Sequence, residues 1–191
     1  VGQMTFTESI FVTDKKPQEF GMNSTIIFAN TQDRYHCRNP GKSYDPSSAV
    51  VCFPNNFQED DSDEGLIRVT FMANYDSWKE LAEAEPKKKA YKQKKREMAQ
   101  EAWDLATSLF PDPTQVRQQC QVLCQDTFTP TTIERYTGHF QGTVYGSPDK
   151  KRDGKTGYEG LYLCGTDQGF LGIVGALLSG ISMANLYGLM R

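Results

Sequence analysis

The stretch Leu66–Ala73, LIRVTFMA, alternates apolar and polar side chains well enough for a half-buried strand, most clearly at 67–71. Successive side chains of a strand point to opposite faces of a sheet, so this alternation predicts a half-buried β-strand. Three further β-rich runs precede it, separated by Pro, Gly, Asn and Asp, at Ser9–Thr13, Ser24–Asn30 and Ala49–Pro54. Residues 1–74 are therefore expected to form an antiparallel, mostly β layer.

Helical signals follow directly after this layer. Asp76 is expected to cap a short helical turn around Trp78–Ala84. From Tyr91 onward, apolar residues recur at helical spacing, which predicts a long amphipathic helix that ends at the Phe-Pro pair at 110–111. A short strand at Gln121–Thr127 is expected to follow it.

The composition limits the classes of protein to which the chain can belong. Its 191 residues are 38% apolar and 12% aromatic, which is too apolar for a disordered protein and sufficient for one sizeable core. The net charge of −3 argues against a nucleic-acid partner, which needs a basic surface. Five cysteines without a CxxC pair, together with two histidines, predict neither a disulfide framework nor a metal site. We expect an intracellular protein, since no secretory signal is visible.

Charge is concentrated in two segments. Gln58–Gly65, QEDDSDEG, carries five acids and is most simply a solvated loop between strands. The sequence PKKKAYKQKKR at 86–96 holds seven of the 21 Lys and Arg residues and is most simply the exposed face of a helix. The alternative is that Lys87–Arg96 faces anionic lipid, where each basic residue near the surface adds about 1 kcal/mol. That alternative would place the protein peripherally on an internal membrane, such as a plastid membrane.

The C-terminal segment Phe170–Met190 carries no charge over 21 residues. Its length is that of a membrane-spanning helix, but its serines, its asparagine and its five glycines from 169 onward favour a helix buried in a soluble core. Small residues recur every fourth position and predict one smooth helix face that packs against a backbone or a cofactor. They are Gly172, Ala176, Gly180, Ala184 and Gly188.

A compact apolar run comes before this helix. Leu161–Cys164, LYLC, is expected to form a buried strand that leads through Gly165 and Asp167 into a glycine-bearing turn. Free backbone N–H groups at the start of the following helix favour an anionic or polar ligand edge. Asp167 is placed either to accept hydrogen bonds from ligand hydroxyls or to cap that helix, and the residues alone leave both roles open.

Two stretches carry a family resemblance. LYLCGTDQGFLGIVGALLSGISMAN at 161–185 resembles the closing FAD-binding segment of the amine-oxidase-like flavoproteins. FTPTTIERYTGHFQGTVYG at 128–146 resembles the TPxTxxRY…G…YG stretch of the branch that holds carotenoid desaturases, carotenoid isomerases and retinol saturases. The resemblance implies an α/β (α+β) fold in three parts. These are an antiparallel substrate-domain sheet with helices at 1–127, a loop-rich connection at 128–160, and the C-terminal strand–turn–helix of a Rossmann-like FAD domain at 161–191.

The resemblance also implies a cofactor, FAD, and the residues that bind it. In such enzymes the acid after the closing strand, here Asp167, binds the ribityl chain, and the glycine before it, here Gly165, lets the backbone approach the cofactor. The start of the helix would direct N–H groups toward the isoalloxazine, where they would stabilise the negative charge of reduced flavin. The residues of that helix start are Gly172, Ile173, Val174 and Gly175.

One feature of the family is missing from the chain. The strand, G-x-G-x-x-G turn and helix that hold the FAD pyrophosphate do not occur in these residues. We therefore expect this dinucleotide-binding half on a partner segment, either in a separate chain or in the same precursor.

The resemblance implies an activity on carotenoid- or retinoid-like isoprenoid polyenes. The reaction would be desaturation, saturation or cis–trans isomerisation, with the hydrophobic polyene held by apolar walls. No catalytic residue is identified. The alternatives are a non-catalytic scaffold or pigment-binding subunit of a larger complex and, on the C-terminal segment alone, a single-span membrane protein.

Overall fold

The computed structural model describes residues 4–57, 62–84 and 89–190. These residues form a mixed α and β structure with one five-stranded antiparallel sheet and five α-helices. They divide into two compact units, Met4–Gly142 and residues 143–190. The expected combination of an antiparallel sheet with helices is confirmed. The sheet and four of the helices belong to the first unit.

The sheet has the strand order β2-β3-β4-β1-β5, and all neighbouring strands are antiparallel. Every strand expected before residue 128 is present, and β1 extends further toward the N-terminus than its apolar run because Thr5 and Thr7 pair with the end of β4. The strands are β1 (Thr5–Thr13), β2 (Ile26–Asn30), β3 (Tyr44–Cys52), β4 (Gly65–Ala73) and β5 (Val122–Phe128).

The helices begin at residues that satisfy their first N–H groups. Asn74, and not Asp76, caps α1, since its side-chain oxygen accepts a hydrogen bond from the Ser77 N–H at 3.1 Å. Asp112 caps α3 by accepting bonds from the Thr114 and Gln115 N–H groups, both at 3.0 Å. The helices are α1 (Tyr75–Glu83), α2 (Lys89–Ser108), α3 (Pro113–Gln119), α4 (Pro130–Thr137) and α5 (Gly172–Ala184), which continues as a π-helical turn at Asn185–Leu189.

One face of the sheet forms the hydrophobic core. The apolar stripe of α2 packs there, and its alanines Ala99, Ala102 and Ala106 are buried. Small side chains at these positions let the helix backbone lie close to the aromatic residues of the sheet. The sheet and α1 contribute Phe11, Val51, Ile67, Val69, Phe71 and Trp78 to this core.

The stretch 128–160 contains a helix that the sequence did not predict. Thr129 caps α4, Pro130 occupies its first turn, and Ile133 is buried. Pro130 suits that position because its missing N–H would have no partner in the first turn of a helix. The residues of the TPxTxxRY stretch therefore start and form a helix of the first unit.

The prediction of a buried strand at Leu161–Cys164 is wrong. Tyr162 makes one isolated bridge with Lys155, and Leu161 is 55% exposed. A strand needs a neighbour along its length, and the described residues offer this stretch only the turn around Gly154.

The prediction that α5 is buried through its small residues is also wrong. The inward positions are Ser179 and Met183, which are buried, whereas Gly172, Ala176 and Ala184 are exposed. The helix has a buried serine on its inner side because that side meets backbone and amide groups of the preceding loop.

Candidate functional site

The second face of the sheet carries an apolar surface, which we call the sheet wall. Residues on β1 and β4 alternate strictly between buried and half-buried, and the half-buried ones share this face because they are register partners. On β2, Phe28 lies on the same face and is 70% exposed. The other apolar members of the sheet wall are Phe6, Ile10, Val12, Ile26, Val50, Leu66 and Met72.

One ion pair lies in the middle of the sheet wall. Glu8 Oε1 accepts hydrogen bonds from Arg68 Nε at 3.0 Å and lies 2.8 Å from Arg68 Nη2, with Thr70 Oγ1 at 3.5 Å. The hydrogen bond to Glu8 is the main cause that raises the pKa of Arg68 above its ordinary value. The Glu8 side chain is 13% exposed and that of Arg68 is 43% exposed, so the wall presents a fixed, internally neutralised pair within apolar surroundings.

The TPxTxxRY stretch joins α4 to neighbouring elements through polar groups. The Tyr91 hydroxyl from α2 lies 2.6 Å from Thr129 Oγ1 and 3.1 Å from Thr131 Oγ1. The Tyr75 hydroxyl from α1 donates to Glu134, and the other carboxylate oxygen of Glu134 accepts the Gln141 N–H at 2.8 Å. These contacts fix α4 against both helices.

Gly142 closes the first unit through a close backbone approach. Its φ is +59°, and a Cβ at this position would lie 2.3 Å from the Pro130 carbonyl oxygen. The Gly142 carbonyl accepts a hydrogen bond from Thr5 Oγ1 at 2.6 Å. Only glycine fits this combination of backbone angle and space, which explains the Gly in this part of the motif.

Asp167 lies in the loop that precedes α5. Its Oδ1 accepts the Ser147 N–H at 2.5 Å, and its carbonyl oxygen accepts the Lys151 N–H at 2.9 Å. The N-cap of α5 is Leu171, which makes no side-chain cap, so the helix-capping role left open for Asp167 is wrong. The carboxylate instead holds the 146–147 turn against this loop, where a Cβ on Gly146 would lie 2.0 Å from Oδ1.

Gly165 adopts a left-handed backbone conformation, which glycine tolerates better than other residues. Its φ is +87°, in the region that favours glycine, and nothing described lies within 4 Å of the position that a Cβ would take. Its N–H donates to Ser179 Oγ at 2.6 Å. Gly165 therefore combines a glycine-only backbone conformation with open space at its Cα.

The polar centre of this unit is Gln168, which the sequence did not predict. Its side chain is 3% exposed, accepts a hydrogen bond from the Ser179 hydroxyl, and donates through Nε2 to the Arg152 carbonyl at 2.8 Å. These bonds connect α5, the 165–169 turn and the 150–154 loop. A glutamine directly after the Gly-x-Asp stretch was the available signal, but a polar residue in a turn is ordinarily exposed.

The start of α5 is open to solvent. Ile173 is 83% exposed and Val174 is 69% exposed, while Gly172 has a φ of +73°. Gly175 is the one residue of this first turn that packs closely, since a Cβ there would lie 3.2 Å from the Phe170 backbone carbon. The predicted binding residues thus line one continuous loop and helix start within residues 143–190. The sheet wall belongs to the other unit.

Comparisons of the chain with protein-family models, with curated proteins and with solved structures found no match. The assignment of the site therefore depends on the residues themselves and on the geometry given above.

Proposed function

We propose that the chain is the substrate-binding and FAD-closing part of an FAD-dependent oxidoreductase that acts on carotenoid- or retinoid-like isoprenoid polyenes. The observation that carries this proposal is the sheet wall. A polyene has no charged group for an ionic contact, so a broad aliphatic and aromatic surface is suited to bind it. The Glu8–Arg68 pair on that surface is neutralised internally, and Asp126, which borders the surface on β5, lies 3.9 Å from Lys95 Nζ.

The loop before α5 supports the cofactor part of the proposal. The Gly165 backbone is accessible at its Cα, and the first turn of α5 has no side-chain cap. Uncapped N–H groups at a helix start are suited to the electron-rich edge of a bound ring. Residues 161–191 would then complete the Rossmann-like FAD domain together with a partner segment that bears the G-x-G-x-x-G turn.

The roles of this chain's residues follow from that assignment. FAD, when bound, supplies the hydride or electron chemistry. The sheet wall orients the polyene and excludes water, while Glu8 and Arg68 hold each other in place. Asp167 fixes the loop through Ser147 and offers its remaining carboxylate oxygen to the ribityl hydroxyls.

A membrane association accompanies this proposal. The helical segment Gly172–Leu189 has a mean hydropathy of 1.4 and is long and apolar enough to cross a membrane. Core helices of soluble proteins can be equally long and apolar but are mostly buried, whereas 11% of this segment is buried. We propose an intracellular protein that contacts a membrane peripherally. Of the basic stretch 87–96, Lys89–Arg96 lies in α2, and Lys87 and Lys88 lie outside the described residues.

Binding of all-trans-retinol and β-carotene, followed by quenching of tryptophan fluorescence, tests the wall. Ile10→Asp places a charge in the middle of the sheet wall and should weaken binding at least tenfold. Tyr136→Asp is the control, since Tyr136 is 75% exposed in the same unit but lies on α4, outside the sheet. Equal affinity of the two variants would refute the assignment of the wall.

The flavin assignment needs a separate measurement. In the complex with the partner segment, absorbance near 450 nm should accompany the protein, and Asp167→Ala should weaken FAD retention roughly tenfold to a hundredfold, since a charge-assisted hydrogen bond contributes about 1.5–3 kcal/mol. Undiminished FAD affinity would exclude the ribityl role. Polyene binding without flavin would instead support the alternative of a pigment-binding subunit.

A further inference from the structure

Two adjoining cavities lie where α2, β5 and the start of α4 meet. Their volumes are about 650 Å³ and 220 Å³, and they share Lys95, Asp126 and Thr127. We call the pair the basic cleft. It lies within the unit Met4–Gly142 and is lined by none of the sheet-wall residues named above. Its β5 residues Asp126 and Phe128 are the register partners of Ile10 and Glu8, so they border the wall.

The basic cleft concentrates positive charge in a chain whose net charge is −3. Lys92, Lys95 and Arg96 come from α2, and Arg135 comes from α4. One carboxylate faces them, Asp126, whose Oδ1 lies 3.9 Å from Lys95 Nζ. Among the described residues, Lys92, Arg96 and Arg135 form no ion pair, and Arg135 lies over the Tyr136 ring at 5.6 Å.

The opposite side of α2 is arranged differently. There Lys94 forms an ion pair with Glu97 at 3.2 Å, and the neighbouring cavity is lined by Glu80 as well. On the cleft side, Lys92 is a helix neighbour of both Lys95 and Arg96 at spacings of three and four residues. Like charges at these spacings destabilise a helix, so the cleft side retains a repulsion that the other side avoids.

Hydroxyl groups complete the lining of the larger cavity. The Tyr91 hydroxyl and Thr131 Oγ1 lie 3.1 Å apart, and Thr132 adds a further hydroxyl. Cations with several nearby hydroxyl donors provide the groups that proteins use to bind phosphate oxygens. Because Arg135 lies outside the basic stretch at 86–96, the charge count of that stretch did not reveal this combination.

We propose that the basic cleft binds a phosphate group, carried either by a lipid headgroup or by a soluble molecule. Arg135 and Lys95 contact its oxygens from the two helices, and the hydroxyls of Tyr91 and Thr131 donate to it. This site deepens the proposed membrane contact if the source is a lipid. It does not depend on the flavin or on the polyene.

Two probes distinguish the sources: pyrophosphate, titrated by calorimetry, and phosphatidylcholine vesicles with and without phosphatidic acid, followed by flotation. The test variant is Lys95→Gln with Arg135→Gln. The control is Arg38→Gln with Lys42→Gln, which also removes one arginine and one lysine charge. Both residues line a different surface cavity of the same unit, with a volume of about 570 Å³.

The test variant should lose at least tenfold in affinity for the probe that binds, with the control unchanged, and binding should weaken steeply with added salt. Binding of the acidic vesicles alone identifies a lipid headgroup, and binding of pyrophosphate identifies a soluble source. Equal losses in both double variants would show general charge attraction and overturn the site. Absence of binding to either probe at low salt would overturn it as well.

Discussion

The two units of this protein differ in whether they contain a hydrophobic core: Met4–Gly142 has one beneath its sheet, in addition to the exposed sheet wall, and most large apolar side chains of α5 are exposed. In Met4–Gly142, Phe71 on the sheet is 1% exposed and packs beneath α2. In residues 143–190, the aliphatic side chains of α5 are outside, with Leu177 at 64% and Ile181 at 57% exposure. The comparison teaches that apolar sequence alone does not decide burial, because a side chain is buried only where a second surface covers it.

Backbone geometry and polar contacts contribute more to the structure of residues 143–190 than to that of Met4–Gly142. Tyr162 and Tyr187 stack with ring centroids 3.9 Å apart, and the Tyr187 hydroxyl donates to the Asp153 carbonyl at 2.8 Å. The buried Gln168–Ser179 bond connects the loop to α5. This unit is therefore expected to respond to changes at glycines and polar groups, whereas Met4–Gly142 is expected to respond to changes in packing.

The largest contrast should come from truncating one large side chain in each unit. Phe71→Ala should lower the free energy of unfolding by about 3–5 kcal/mol, because it leaves a cavity in a dense core. Leu177→Ala should change it by less than about 0.5 kcal/mol, because the side chain already lies in water. Chemical denaturation measures both. Equal losses would show that α5 is covered in solution.

Two glycines of the second unit provide the next contrast. Gly154→Ala should destabilise residues 143–190 by about 1–3 kcal/mol, since its φ is +66° and a Cβ would lie 2.7 Å from the Leu163 carbonyl oxygen. Gly180→Ala should stabilise α5 by about 0.5–1 kcal/mol, since nothing lies within 4 Å of its Cβ position. Hydrogen exchange of the amides in this unit separates the two. If Gly180→Ala is destabilised instead, the small-residue face of α5 is packed against another surface, as the sequence predicted.

Two buried threonines test the polar part of the first unit's core. Thr7 is fully buried, and its Oγ1 has no hydrogen-bond partner among the described residues. Thr7→Val should therefore raise the free energy of unfolding by about 1 kcal/mol. Thr129→Val should lower it by about 1–2 kcal/mol, because Thr129 caps α4 and lies 2.6 Å from the Tyr91 hydroxyl. A loss of stability in both variants would reveal a partner for Thr7.

The smallest effect concerns the contact that ties α4 to α1. The Tyr75 hydroxyl and the Gln141 N–H hold the pKa of Glu134 below its ordinary 4.5, and the Glu134 carboxylate raises the pKa of Tyr75 to about 12. The resulting stabilisation is present above pH 4.5 and is lost as the pH falls through the lower folded pKa. Tyr75→Phe should raise the pKa of Glu134, measured by carboxyl NMR titration, while Tyr136→Phe should not. An unchanged pKa in Tyr75→Phe would contradict the contact.

The predictability of the fold differs between elements for physical reasons. Alternation in LIRVTFMA predicted β4, because one face of that strand is buried in the core along its whole length and the other face is half-buried. α4 was not predicted because its eight residues begin with Pro-Thr-Thr after the capping Thr129, and these residue types are typical of turns. The burial of Pro130 and Ile133 outweighs that local preference. Gly165 and Asp167 were singled out from their types, but the contact of Asp167 with Ser147 links residues twenty positions apart in an irregular loop.

By itself, the sequence determined the local features of this protein: the sheet strands, the amphipathic α2, the uncharged C-terminal helix and the glycine positions, because each depends on a few neighbouring residues and a fixed repeat. The tertiary structure alone decided which surfaces are covered. It buried Ser179 and Gln168, left the aliphatic face of α5 exposed, and placed Arg135 and Lys95 in the lining of one cavity. These outcomes depend on the packing of distant segments, which no local repeat specifies.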